Sequence, residues 1–145
     1  TKGGKLIEGV FRGATINTPS MLCVADYLDA LGWVRGIGGV DAAVARSGRS
    51  REIISEFVAA NDWIDFLAKD ESQRSSTSVC LMLELEPGQV KEMVALLAEE
   101  GVAYDIGAYR DAPAGLRIWC GSTVEPSDVE LLLPWLKWAY EHVNS

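Results

Sequence analysis

The chain has 145 residues, 48% of them hydrophobic and 23% charged, with a formal net charge of −8. That length suits one domain with a real core, and no apolar run approaches the roughly 20 residues that cross a bilayer. The acidic balance argues against nucleic acid, which usually demands a basic face.

Residues 1 to 16 are glycine-rich and lack a sustained period, so they read as an extended arm. Lys2-Gly3-Gly4-Lys5 invites a phosphate-loop reading, but the full glycine spacing is missing, which leaves a basic arm. The first methionine is Met21, and the opening at Thr1 reads as part of a longer protein, with any site only partly present. The first residues do not carry a signal-peptide pattern.

Ile16-Asn17-Thr18-Pro19-Ser20 follows. Thr18 suits a helix cap and Pro19 the first helical position. Asn17 and Thr18 support two readings: a capping motif, or polar side chains at a helix start that bind a phosphate. The helix is expected to run to about Arg35, with Met21, Val24, Ala25, Leu28 and Leu31 as its apolar stripe. A second helical region runs from about Gly39 to Ala60, with Val40, Val44, Ile54, Phe57 and Val58 as buried positions. Arg46, Arg49 and Arg51 there read as a solvated face.

Trp63 to Leu67 reads as a strand and residues 69 to 76 as a polar loop. Thr77 to Leu85 is a strand with Val79, Leu81 and Leu83 on one face, while Cys80 and Met82 make the other face apolar. Glu86-Pro87 opens a helix that stops at Gly101, and Val102 to Ile106 is expected to be a further strand. The last helix begins near Glu125-Pro126, with a kink or break expected at Pro134. Trp33, Trp135 and Trp138 read as core or interface anchors.

Between these elements lies the stretch from Tyr109 to Gly121, a Pro/Gly-rich turn and a short alternating strand. Leu116, Ile118 and Cys120 should point one way, Arg117 and Trp119 the other. Arg110 and Arg117 either form an anion receptor across the turn or are two solvated arginines.

The three cysteines, Cys23, Cys80 and Cys120, lie among apolar residues and read as buried thiols in a reducing compartment, hence a cytoplasmic protein. A single histidine, His142, excludes a metal site built on histidines and reads as structural or solvated. The order helix, helix, strand, strand, helix, strand, strand, helix describes an α+β fold, with helices packed on a small, mainly antiparallel sheet.

Ile16-Asn17-Thr18-Pro19-Ser20-Met21 resembles the Asn-Thr-Pro stretch of phosphoserine aminotransferases, class V pyridoxal-phosphate enzymes. Tyr109-Arg110 through Gly115-Leu116-Arg117 resembles their substrate-anion segment, and Arg74-Ser75 and the Gly38-Gly39 pair also fit. Gly107-Ala108-Tyr109-Arg110 and Trp119-Cys120-Gly121-Ser122-Thr123 look most like the branch found in alphaproteobacteria and methanogens. The resemblance covers essentially the whole chain, as the C-terminal small domain of such a fold type I enzyme. It implies an arm from the large domain over residues 1 to 18 and the small domain over residues 19 to 145.

The resemblance further implies transamination between glutamate and 3-phosphohydroxypyruvate in serine biosynthesis, by a homodimer carrying pyridoxal 5'-phosphate. Asn17 and Thr18 match positions that contact the cofactor phosphate of the neighbouring subunit. Arg117 matches the anchor of the substrate α-carboxylate, and Arg110 a contact of the substrate phosphate. The family usually has His-Arg where this chain has Tyr109-Arg110, and one extra residue separates the two arginines. The Schiff-base lysine of the family lies upstream of Thr1, so no catalytic residue is assigned here, and the segment alone is expected to be inactive. Without the resemblance, the residues fit a stand-alone small-acid-binding or dimerisation domain. A class V aminotransferase for another substrate is a further reading.

Overall fold

The computed structural model describes residues 3 to 145; Thr1 and Lys2, the start of the expected arm, lie outside the described residues. Contacts divide the chain into a first unit ending at Val40 and a second, Asp41–Ser145.

In the first unit a short 3-10 turn, Glu8–Arg12, interrupts the arm and closes at Gly13, whose φ of 89° a side chain would resist. Helix α1 spans Met21–Gly36 and is capped by Ser20, whose Oγ accepts the Cys23 N–H at 3.3 Å. The expected cap at Thr18 is therefore two residues early. Pro19 is not the first helical residue, for the helix begins at Met21. Helix α1 has no buried residue. Met21, Val24, Leu28 and Leu31 are all exposed, as are Leu22 and Tyr27 on other sides of the helix, so the expected buried stripe is absent. Cys23 is exposed as well, against the expectation of a buried thiol.

Helix α2, Gly39–Ala59, is one continuous helix. Val40 and Val44 near its start are exposed rather than buried, while Ile53 and Ile54 nearer its end enter the core of the second unit. Arg46 is not solvated as expected. Its Nε donates to the Ser122 carbonyl at 2.8 Å and its Nη2 pairs with Glu125, which ties α2 to the start of the last helix.

The sheet has three antiparallel strands in the order β1 (Ile64–Phe66), β2 (Ser78–Leu83), β3 (Gly115–Trp119). Alternation sets its two faces. Ile64, Phe66, Val79, Leu81, Leu83, Leu116 and Ile118 point into the core, where Leu81 pairs with Leu116 and Val79 with Ile118. Ser78, Cys80, Met82 and Arg117 stand half-buried on the other face, and Trp119 is exposed there. Gly115 allows the close pairing of β2 and β3, because a Cβ there would lie 2.1 Å from the Leu81 carbonyl oxygen.

Helix α3, Pro87–Glu99, carries proline in its first turn, and Gln89 Oε1 accepts the Glu86 N–H at 3.0 Å. Its inward residues Val90, Met93 and Leu97 meet Val129, Leu136 and Ala139 of α4 (Pro126–Val143) in one core. A fully buried leucine in such a core contributes about 1.5–3 kcal/mol. Gln89 Nε2 also donates to the Val143 carbonyl at 2.8 Å, fastening the far end of α4.

Two expected features differ. Residues 102 to 106 are not a strand; among them only Ile106 joins the sheet edge, its carbonyl accepting the Arg117 N–H at 2.8 Å. Asp105 takes a φ of 51°, which breaks the extended run. The break that Pro134 could have caused is also absent, for α4 is helical on both sides of it. Pro134 lies on the exposed flank, so the carbonyl it leaves unpaired can meet water, while Val129 and Leu136 anchor the helix on either side.

Candidate functional site

The strand β3 decides where Arg117 goes. With Leu116 and Ile118 buried in the core, the residue between them must stand on the opposite face. There it faces Cys80 across the ladder, and Trp119 faces Ser78. Its side chain is only 19% exposed.

Two neighbours hold the guanidinium, and a third residue braces one of them. Nη2 donates to the Asp105 carbonyl at 3.1 Å and to Asp105 Oδ2 at 2.9 Å. The guanidinium carbon lies 4.8 Å from the centre of the Tyr109 ring, a cation–π contact. The Tyr109 hydroxyl in turn meets the Ser78 hydroxyl at 3.2 Å. Hydrogen bonding to Asp105 raises the Arg117 pKa above its ordinary value, with burial opposing and the Asp105 charge reinforcing the effect. Nε is buried and has no hydrogen-bond partner among the described residues. The result is a permanently charged planar fork, held by one edge and one face beside a cleft of about 230 Å³. Tyr104, Asp105, Arg117, Trp119 and Leu132 are among the residues that line that cleft. A planar guanidinium so placed can receive a carboxylate or phosphate.

Arg110 lies on the exposed turn closed by the Ala112 N–H donating to the Tyr109 carbonyl at 2.9 Å. Among the described residues it makes no hydrogen bond or ion pair. Asn17 and Thr18 belong to the first unit and are exposed. The Asn17 carbonyl accepts the Thr15 hydroxyl at 2.8 Å. The Asn17 and Thr18 side chains make no hydrogen bond within the described residues. Their role as helix cap falls away with the cap at Ser20, which leaves both polar groups open to a ligand.

A second basic group sits near the β1–β2 edge. Arg74 stacks on Phe66 at 4.1 Å and donates to the carbonyls of Ala68 and Lys69. Its donors serve the loop, and it frames a hollow of about 220 Å³ with Ser75, Ser78 and Cys80. Sequence reasoning missed Asp105, Ser78 and Tyr104 as neighbours of Arg117. Ser78 is 39 positions from Arg117, and only the β2–β3 register brings them to one face. The one local signal was the Tyr109-Arg110 pair, which placed an aromatic ring close to the arginine strand.

Other chemistry is sparse. Burial pushes the Cys120 thiol up to about 11, which suppresses its thiolate. No group of three or more His, Cys, Asp or Glu side chains fit to hold a metal occurs among the described residues. Lys5, Lys69, Lys91 and Lys137 are exposed. Lys69 pairs with Asp65 at 2.6 Å and Lys137 lies 3.9 Å from Glu141.

Comparison with known proteins adds a lineage to this geometry. The chain is 50% identical over 144 residues to the phosphoserine aminotransferase of Methanosarcina mazei, a match that covers 99% of the chain. By sequence the chain is similar to phosphoserine aminotransferases over nearly its whole length. The Methanosarcina barkeri protein of that name matches equally well at 50%, and that of a Nocardioides species is 27% identical over 139 residues. The chain spans about two fifths of the length of these relatives, 39% for both Methanosarcina proteins. No family model matches the chain. Among solved structures, phosphoserine aminotransferase from Bacillus circulans subsp. alkalophilus superposes with a TM-score of 0.81 at 19% identity, covering 92% of this chain and 36% of that one. That likeness establishes the fold: the three-stranded antiparallel sheet and four helices form a recognised part of the phosphoserine aminotransferase architecture.

Proposed function

We propose that this chain is the C-terminal portion of a phosphoserine aminotransferase, which moves an amino group between glutamate and 3-phosphohydroxypyruvate to give phosphoserine and 2-oxoglutarate. The observation that carries the reading is the 50% identity over 99% of the chain to the Methanosarcina enzymes. The half-buried guanidinium of Arg117 supports it, because a group held so can orient a carboxylate. In this reading Arg117 anchors the substrate α-carboxylate, and Arg110, exposed and without an ion pair among the described residues, contacts the substrate phosphate. Both act through charge and orientation and neither moves a proton.

Pyridoxal 5'-phosphate would supply the electron sink of the reaction when bound. Asn17 and Thr18 fit a contact with its phosphate, since both are exposed and their neutral side chains make no hydrogen bond among the described residues. Residues 1 to 18 are read as an arm from the large domain and residues 19 to 145 as the small domain. Apolar residues exposed on several sides of α1 support a homodimer, or a large domain, that covers them. The exposed lysines of this chain are given no catalytic role, so the segment alone is inactive and the lysine belongs to the rest of the enzyme. Among the described residues no helix is long and apolar enough to cross a membrane. A cytoplasmic location belongs to the same reading of the chain as part of such an enzyme.

The test is an assay of the full-length protein with pyridoxal phosphate, phosphoserine and 2-oxoglutarate. Formation of glutamate is expected, and its absence from folded, cofactor-loaded protein would sink the reading. The variant Arg117→Ala should lose about 30-fold or more in kcat/KM, the low end of the loss on truncating one partner of a charge pair between protein and ligand.

A further inference from the structure

Asp105 is the one non-glycine residue with positive φ among the described residues. Aspartate tolerates that backbone, at a cost that persists where the surroundings hold it. The turn brings Oδ2 to 2.9 Å from Arg117 Nη2. Yet the two partners differ sharply in exposure, 92% for the Asp105 side chain and 19% for that of Arg117. Two contacts hold the guanidinium without this carboxylate: the Asp105 main-chain carbonyl at 3.1 Å and the Tyr109 ring beneath it. Both would survive removal of the Asp105 charge. The carboxylate is therefore unnecessary for placing Arg117. It does bring to the guanidinium the same chemical group that a carboxylate ligand would bring. An ion pair with one fully exposed partner is weak and easily exchanged.

We propose that Asp105 is a built-in competitor for the Arg117 anion site: its carboxylate pairs with the guanidinium while no ligand is there and turns into solvent when a ligand carboxylate arrives. The inference rests on the reading of Arg117 as a carboxylate anchor. It makes Asp105 a specificity determinant. A ligand that holds on by a second charge can displace the internal carboxylate, whereas a simple monocarboxylate competes with it on poor terms.

The experiment titrates the full-length protein calorimetrically with glutarate, a dicarboxylate with no group to react. It compares wild type, Asp105→Asn, Arg117→Ala and the double variant. Asparagine keeps the shape and tolerates left-handed backbone, and should it fail to fold, Asp105→Gly makes the same comparison. Asp105→Asn should bind glutarate about two- to fivefold more tightly, the range an exposed ion pair commands. The gain should vanish when Arg117 is alanine. Glutarate binding unchanged or weakened in Asp105→Asn, or a gain that persists without Arg117, overturns the competitor role while the anchor reading stands. If Arg117→Ala binds glutarate as wild type does, the anchor reading itself fails, and the competitor with it.

Discussion

The ring of Tyr109 lies 4.8 Å from the guanidinium of Arg117, and the Tyr109 hydroxyl meets Ser78 at 3.2 Å. One aromatic residue thus supports the arginine from its face and is itself braced by the neighbouring strand.

The stack makes a graded prediction. In the full-length enzyme, Tyr109→Phe keeps the ring and loses only the Ser78 contact, so substrate affinity should change by less than about twofold. Tyr109→Ala removes the ring and should weaken carboxylate binding about two- to fivefold, the scale of a cation–π contact worth ~0.5–1 kcal/mol. Titration of both variants with 2-oxoglutarate gives the ratio directly.

Cys120 makes a prediction about alkaline stability. Its thiol is fully buried and its pKa rises to about 11 from the ordinary value of 9.0. Below 9 both folded and unfolded chains keep the proton, so the contribution is complete. Between 9 and about 11 only the unfolded chain gives it up, and stability falls with rising pH. Urea titrations across that range should show a loss on the order of 2 kcal/mol that is missing in Cys120→Ala. A thiol reagent at pH 8 should modify exposed Cys23 first and Cys120 only on unfolding.

At Gly115 the backbone of β3 approaches β2 too closely for any side chain. A Cβ would sit 2.1 Å from the Leu81 carbonyl oxygen, and backbone cannot swing aside as a flexible side chain can. Gly115→Ala should cost about 3 kcal/mol or more, at or beyond the upper end of ordinary overpacking. The denaturation midpoint measures it, and an unshifted midpoint would show that the strands part freely here.

Pro134 interrupts the hydrogen bonding of a helix that stays continuous around it. Restoring the N–H with Pro134→Ala should stabilise the folded chain by about 2 kcal/mol, the interior-proline cost less the entropy returned to the unfolded state. A melting temperature at or below that of the wild type would mean that Glu130 already finds a good partner for its carbonyl.

The local rules carried far along this chain. Period-two alternation set the faces of β3, with Leu116, Ile118 and Cys120 inside and Arg117 and Trp119 outside. Proline and glycine placed the ends of α3, and an α+β order with an antiparallel sheet followed from element types alone. Such features depend on neighbours a few positions apart, which sequence states outright.

Where they failed, distant partners decided. The apolar residues of α1 and the valines at the start of α2 have helical spacing, but spacing cannot say whether anything covers them, and within this chain they are exposed. Val102 to Ile106 looks like a strand until Asp105 takes a left-handed turn toward Arg117. Pro134 looks like a break until Val129, Leu136 and Ala139 hold the helix on both sides. The sequence by itself determined the fold class and which arginine faces out of the core. Only the tertiary structure decided what that arginine meets, because Asp105, Tyr109 and Ser78 reach its face of the sheet through strand register and a turn that no local pattern encodes.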